Sequence, residues 1–250
     1  MKTIAFFNLK GGVGKTAAAV NTAFSASSSG VPTVLWDLDA QGAASWYLLG
    51  KTTKAPMKKI FTRDSPLGKA LKHSPYPRLD VIPSAFSNRN VDVLLSVMNL
   101  RRKLLNKLSS PLGESYELLV FDCPPSLSTL ADHVFYASDA IVVPVIPTPL
   151  SLRAFEQVKE YLLKKGQSTA KILPFFSMVD RRKKLHREWL YDPPKALKKR
   201  LKTYIPYSAV VEKMGLEGAP VGAFAPNDPL AETMTGLWQD ISRKIRIEGP

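Results

Sequence analysis

The segment Lys10-Gly11-Gly12-Val13-Gly14-Lys15-Thr16 follows directly on the apolar run Thr3-Ile4-Ala5-Phe6-Phe7, and a helical pattern opens at its far end. Strand, glycine loop and helix in that order belong to a parallel sheet with crossover helices, because the loop must turn a buried strand into the helix that covers it. Gly11, Gly12 and Gly14 allow backbone angles closed to other residues, so successive N–H groups can face inward on an anion. The helix that begins near Lys15 adds the positive end of its dipole to the same spot. Lys15 is expected to reach the β- and γ-phosphates of a nucleotide, and the Thr16 hydroxyl to sit on Mg²⁺. Val13 and Ala17 complete the cradle; Ala17 has no hydroxyl, so contact to an α-phosphate there rests on backbone N–H alone. The loop departs from G-x-x-x-x-G-K-[ST], with Leu9 where the first glycine would stand and an extra lysine, Lys10, at its head.

The rest of the chain repeats the strand-and-helix theme. Apolar runs predict strands over Thr3–Asn8, Thr33–Asp37, Asp80–Pro83, Leu118–Asp122, Ala140–Val145 and Ile172–Met178, and several are unbroken, as in strands covered on both faces. Helices are expected from Lys15 to Ser28, closed by Gly30, and over Asn88–Lys107. Segment 50–78 reads as a surface excursion with a short helix near Leu67–Lys72. With 250 residues, 45% of them apolar, and no internal repeat, the expectation is a single-domain α/β fold over 1–250: a mostly parallel sheet with helices on both faces. There is no apolar run of about 18 residues and no signal-peptide pattern, and the one cysteine, Cys123, suits a reducing compartment and a packing role.

Two further places carry acids at strand ends. Asp37 and Asp39, in Trp36-Asp37-Leu38-Asp39-Ala40-Gln41-Gly42, share a side of an extended chain, at the end where open α/β sheets bind ligands. One acid can hold the shell of a Mg²⁺ ion while the other orients a water. Asp122 closes the run Leu118-Leu119-Val120-Phe121 and is followed by Cys123-Pro124-Pro125-Ser126; beside a phosphate loop it becomes an aspartate that holds Mg²⁺ through water.

The lysine at each end of the loop, the D-x-D pair, the D-C-P-P-S run and the closing Ile205-Pro206-Tyr207 … Pro226-Asn227-Asp228-Pro229 resemble the ParA/MinD family of deviant Walker A ATPases. The likeness covers nearly the whole chain, least between 50 and 110, and is closest to small ParA-type partition ATPases without an N-terminal helix-turn-helix. It implies a slow, partner-stimulated ATPase that forms an ATP-sandwich dimer, in which Lys10 crosses to the partner's nucleotide, Lys15 stabilises charge and Asp39 positions the attacking water. It places Asp37 in the outer metal shell, with Thr16, Asp39 and Asp122 completing the Mg²⁺ set. The family pattern D-x-D-P-Q-G has a proline where this chain has Ala40. The resemblance also implies that Pro147, Thr148, Pro149 and Asp180 lie near the base.

The chain carries 35 Lys and Arg against 21 Asp and Glu, a net charge of +14, which favours a polyanionic partner. Between Arg181 and Lys202 ten basic residues face only Glu188 and Asp192, a surplus of eight in 22 residues. Candidate DNA contacts are Arg181, Arg182, Lys183, Lys184, Arg187, Lys198, Lys199 and Arg200, with a second group, Arg243, Lys244 and Arg246, near the end. No base-reading motif is present, so contacts would go to phosphates. The family likeness implies nonspecific DNA, a ParB-like adaptor and a cytoplasmic, nucleoid-associated protein. Membrane-surface (MinD-like) and metabolic or assembly ATPases are the alternatives. The apolar stripe Leu230, Met234, Leu237, Trp238, Ile241 and Ile245 is read as core packing rather than a membrane helix.

Overall fold

A computed structural model describes residues 1–51, 57–62, 65–84, 95 and 102–247. Its centre is one sheet of seven strands: β1 Lys2–Phe6, β2 Thr33–Asp37, β3 Lys72–His73, β4 Leu79–Ile82, β5 Leu118–Asp122, β6 Ala140–Val145 and β7 Ile172–Phe176. They lie in the order β3-β4-β2-β5-β1-β6-β7. Every pairing is parallel except the short β3 against β4. The main helices are α1 Lys15–Ser28, α2 Ala43–Leu49, α3 Met57–Phe61, α4 Leu104–Ser109, α5 Thr129–Ala137, α6 Pro149–Lys164, α7 Lys184–Tyr191, α8 Ala209–Glu217, α9 Val221–Phe224 and α10 Pro229–Ile245.

Strand parity divides the core. Ile4, Phe6, Leu35, Leu118 and Val120 face one side, where α1 and α10 pack; Ala5, Phe7, Val34, Trp36, Leu119 and Phe121 face the other, with α5 and α6. The period-two alternation carries Asp37 and Asp122 onto the α1 side, and the register pairs them directly across β2 and β5. α1 is built of small residues, and buries Ala18, Ala19, Ala23, Ser25 and Ala26 between the sheet and α10. α10 buries all six residues of its expected apolar stripe. Past Phe176 the chain returns alongside β7: the Leu201 N–H reaches Pro174 O (2.8 Å), the Ile205 N–H reaches Phe176 O (2.8 Å), and Val179 bridges to Pro206.

Some expectations change. The helix expected near Leu67–Lys72 is a 3₁₀ turn over Leu67–Ala70, and Lys72 belongs to β3. Two exposed polar residues give no alternation to read, so this edge strand left no pattern. The helix expected over Asn88–Lys107 is interrupted: Arg102 and Lys103 form a turn before α4, which runs on to Ser109. Within its first part only Leu95 is described, helical and buried; 88–94 and 96–101 lie outside the described residues. α2 follows the D-x-D segment where no helix was expected, starting from Gly42 at φ +68°.

Candidate nucleotide site

The glycine loop spans the gap between β1 and α1 at the carboxyl ends of the strands. Gly12 and Gly14 take φ of +69° and +84°, the left-handed region that glycine enters without strain. Two contacts outside the loop fix its ends. The Asn8 amide donates to Pro144 O (2.6 Å) and accepts from the Lys10 N–H (2.9 Å). The Ser177 hydroxyl donates to Val13 O (2.9 Å), and a Cβ at Gly14 would lie 3.0 Å from that hydroxyl. Lys15 is buried, with its ammonium on Lys10 O at 3.3 Å, and burial lowers its pKa against the pull of Asp122, Asp39 and Cys123. Lys10 is exposed.

The two buried acids differ sharply. Asp37 is fully buried, yet its carboxylate accepts three hydrogen bonds: from the Asp39 N–H (3.1 Å), the Ser45 N–H (2.8 Å) and the Ser45 hydroxyl (2.7 Å). Burial still pushes its pKa up to about 6, against the downward pull of those bonds. Asp122 is also fully buried, and neither of its oxygens meets a donor at hydrogen-bond geometry. Burial drives it well above the carboxylate range; Asp37 and Asp39 add to that, while the nearby Thr16 hydroxyl and Lys15 draw it back. A bare buried carboxylate is costly unless something pairs with it, and a cation carried in by a ligand would do so.

A cavity of about 610 Å³ opens onto this spot. Gly11, Gly12, Gly14, Lys15, Thr16, Ala17 and Asp39 line it together with Tyr47 and a more apolar set, Met178, Ile205, Pro206, Tyr207, Val211 and Met234. Among the described residues no three acidic, histidine or cysteine side chains converge to hold a metal alone. A Mg²⁺ ion here would therefore complete its shell with phosphate oxygens and water, its usual habit.

A family model described as an AAA domain matches residues 1–173. The chain is 28% identical to the virulence plasmid ParA family protein pGP5-D of Chlamydia psittaci, over 98% of this chain and 96% of that one. The chain belongs to the ParA/MinD family. Within it, the chain is 32% identical over 157 residues to the cell division protein PomZ of Myxococcus xanthus, spanning about half (49%) of that longer protein. The septum site-determining protein MinD of Pyrococcus horikoshii, solved with Mg-ADP, shares the fold at a TM-score of 0.77 and 20% identity, over 97% of this chain and 96% of that one.

For a ParA/MinD chain, the residues expected near the base are not where the cavity is. Pro147, Thr148, Pro149 and Asp180 are absent from its lining. The Thr148 side chain instead caps α6, accepting from the Ser151 N–H, with Pro149 as the first helical residue. Asp180 is held by a two-point contact from Arg182 (2.9 and 3.0 Å), which draws its pKa down to about 2. The turn around Ile205-Pro206-Tyr207, in the sequence only a family mark, does line the cavity. Ser45, Ser84, Ser177 and Met178 carry no motif of their own, and their roles emerge only from long-range contacts.

The basic residues also sort. Arg181, Lys183, Lys198 and Lys199 are exposed. Arg182 is tied to Asp180, Lys184 approaches Glu188 (3.7 Å), and Arg187 donates to the carbonyls of Arg181 and Arg182. Arg200 is half-buried, donates to Leu190 O (2.8 Å) and lies 4.8 Å over the Phe176 ring, so packing holds it. Arg243 leans on Asp240. Lys244 and Arg246 line a cavity with Lys2 and Lys171 at the amino ends of the strands, the opposite end of the sheet from the glycine loop. Cys123 is buried against the core and its thiol is pushed well above its usual range by burial.

Proposed function

We propose that this chain binds ATP with Mg²⁺ at the glycine loop, dimerises around the nucleotide, binds DNA without sequence preference and is released by hydrolysis, in the service of partition or positioning of a large cargo. The observation that carries the reading is the fully buried Asp122, whose charge only the nearby Thr16 hydroxyl and Lys15 offset. Thr16 and Asp122 would hold the Mg²⁺ ion, through the hydroxyl and an intervening water, with Asp37 and Asp39 at its outer side. The ion, when bound, neutralises charge on the terminal phosphates.

The chain's own residues supply the rest. Backbone N–H groups of Gly11, Gly12, Val13, Gly14 and Ala17 cradle phosphate, and Lys15 leaves Lys10 O for the β/γ oxygens. Asp39, on the cavity wall, orients the attacking water, while Met178, Pro206, Tyr207 and Val211 cover the base and exclude solvent. Lys10, exposed at the loop head, reaches a second copy's nucleotide. An adaptor of the ParB kind accelerates the step. DNA contact falls to the exposed Arg181, Lys183, Lys198 and Lys199, with Lys244 and Arg246 as a separate cluster; Arg200 drops out. α10 packs its apolar stripe on α1 and the sheet, which supports DNA over a lipid surface as the partner. The likeness to partition proteins supports the cargo role.

The test is nucleotide and DNA binding by the purified chain with ADP, ATP or neither, with and without Mg²⁺. Mg²⁺-dependent ATP hydrolysis lost in Lys15→Ala, and DNA binding only with ATP, are expected. Hydrolysis without ATP-dependent DNA binding, joined to ATP-dependent liposome binding, would overturn the DNA reading. An absence of nucleotide binding would overturn the whole.

A further inference from the structure

The segment that carries Asp39 is closed into a ring by two serines. Asp37 Oδ2 takes both the N–H and the hydroxyl of Ser45, and Oδ1 takes the N–H of Asp39. The Ser45 oxygen in turn accepts the Ser84 N–H at 2.9 Å, and the Ser84 hydroxyl donates to the Asp39 carbonyl. Ser45 and Ser84 are 2% and 6% exposed, and neither lines the nucleotide cavity. Asp39 itself is fixed further by the Gln41 N–H on Oδ1 (3.0 Å) and the Gly42 N–H on its carbonyl (3.0 Å). The stretch from Asp37 to Ser45 is thus folded back onto one carboxylate and hung from the chain just beyond β4.

We propose that Ser45 and Ser84 are positioning residues for hydrolysis, acting through Asp39 by holding its segment to the end of β4. The inference rests on the reading of Asp39 as the residue that orients water. Three facts favour a positioning role over bulk stability. The ring ends on Asp39, which lines the cavity beside Lys15 and Thr16. Its serines stand behind the cavity wall and do not line it, so they do not themselves hold the nucleotide. The turn residue is Ala40, which lacks the fixed φ that a proline would give the loop, so the hydrogen-bonded ring is what limits the freedom of Asp39. A misplacement of about 1 Å in such a group lowers a rate by on the order of 100-fold.

The experiment compares wild type, Ser84→Ala, Ser84→Thr and Ser45→Ala in steady-state ATP hydrolysis, in equilibrium binding of a fluorescent ATP analogue with Mg²⁺, and in thermal melting. Ser84→Ala is expected to lower kcat roughly 10- to 100-fold with analogue affinity within about twofold of wild type. Ser84→Thr, which keeps the hydroxyl, should restore most of kcat. Should Ser45→Ala fail to fold, Ser84→Ala alone decides. An unchanged kcat in a folded Ser84→Ala overturns the proposal, as does a loss of affinity with kcat kept, or a folded Ser84→Thr as slow as Ser84→Ala. A wild type that binds nucleotide but does not hydrolyse it overturns the reading of Asp39 instead, so the two failures are distinguishable.

Discussion

At Asp122, burial and charge oppose each other. Its pKa is raised above the unfolded value by burial, so between those two values the folded chain holds a proton that the unfolded chain has released, and stability falls as pH rises through that window. Asp122→Asn removes the charge and leaves a side chain of the same shape. The nucleotide-free variant should melt above wild type at pH 8, by a few degrees at about 2–4 °C per kcal/mol for a chain of this size. The difference should narrow as the pH is lowered toward the unfolded carboxylate value of 3.8, and Mg²⁺-dependent nucleotide binding should be weakened throughout. Equal melting at pH 8 would mean that the carboxylate is compensated after all. Asp122 was legible in the sequence because an acid closing an apolar strand beside a glycine loop has few other uses. Ser45 and Ser84 were not, because their meaning lies in a contact that links α2 to the chain just beyond β4. Thr148 and Asp180 also have local uses that their motif does not announce: the threonine caps α6 and the aspartate pairs with Arg182.

For whole elements the sequence was read best where periodicity was strong. The parallel strands appear within a residue or two of their apolar runs, and α1 ends at Ser28 with Gly30 at φ +94° behind it. The two-residue β3 and the short α2 were missed because neither is long enough to show a period. α10 is the instructive case, since an amphipathic terminal helix suits a membrane surface and a core equally on pattern alone. Here Trp238 is 3% exposed and its indole N–H donates to the Ser29 hydroxyl at 3.1 Å, locking α10 to the end of α1. Trp238→Ala is expected to cost about 3–5 kcal/mol, read as an early midpoint in urea; an unchanged midpoint would show that the stripe is not core. Arg200 belongs to this scale too. Its guanidinium stacks on Phe176 and ties α7 to the returning strand, so Arg200→Gln should lower the melting temperature while leaving the salt dependence of DNA binding unchanged.

Over the whole molecule the question is how charge is distributed. A surplus of eight charges stands between 181 and 202 in the sequence; most of these side chains are exposed, but Arg182, Lys184 and Arg187 also have partners within the chain, and Arg200 is half-buried against a ring. Lys198→Glu with Lys199→Glu is therefore expected to weaken ATP-dependent DNA binding and to flatten the plot of log affinity against log salt by about 0.9 for each DNA phosphate that is no longer neutralised. Should the slope stay fixed while Lys244→Glu flattens it, the footprint lies at the amino ends of the strands instead.

The cavity also has a history in time. Its phosphate end is built by the first residues to be synthesised, while its apolar end needs Met178, Pro206, Tyr207, Val211 and, from α10, Met234. At about 5–20 residues per second, on the order of ten seconds or more separates Lys15 from Met234 on the ribosome. A nascent chain thus carries an exposed anion cradle with no wall to hold a base, and the family match over residues 1–173 stops short of the residues that complete that wall. Tight nucleotide binding is then a late event in biogenesis, and a chain broken off before α10 would keep the motif without the grip.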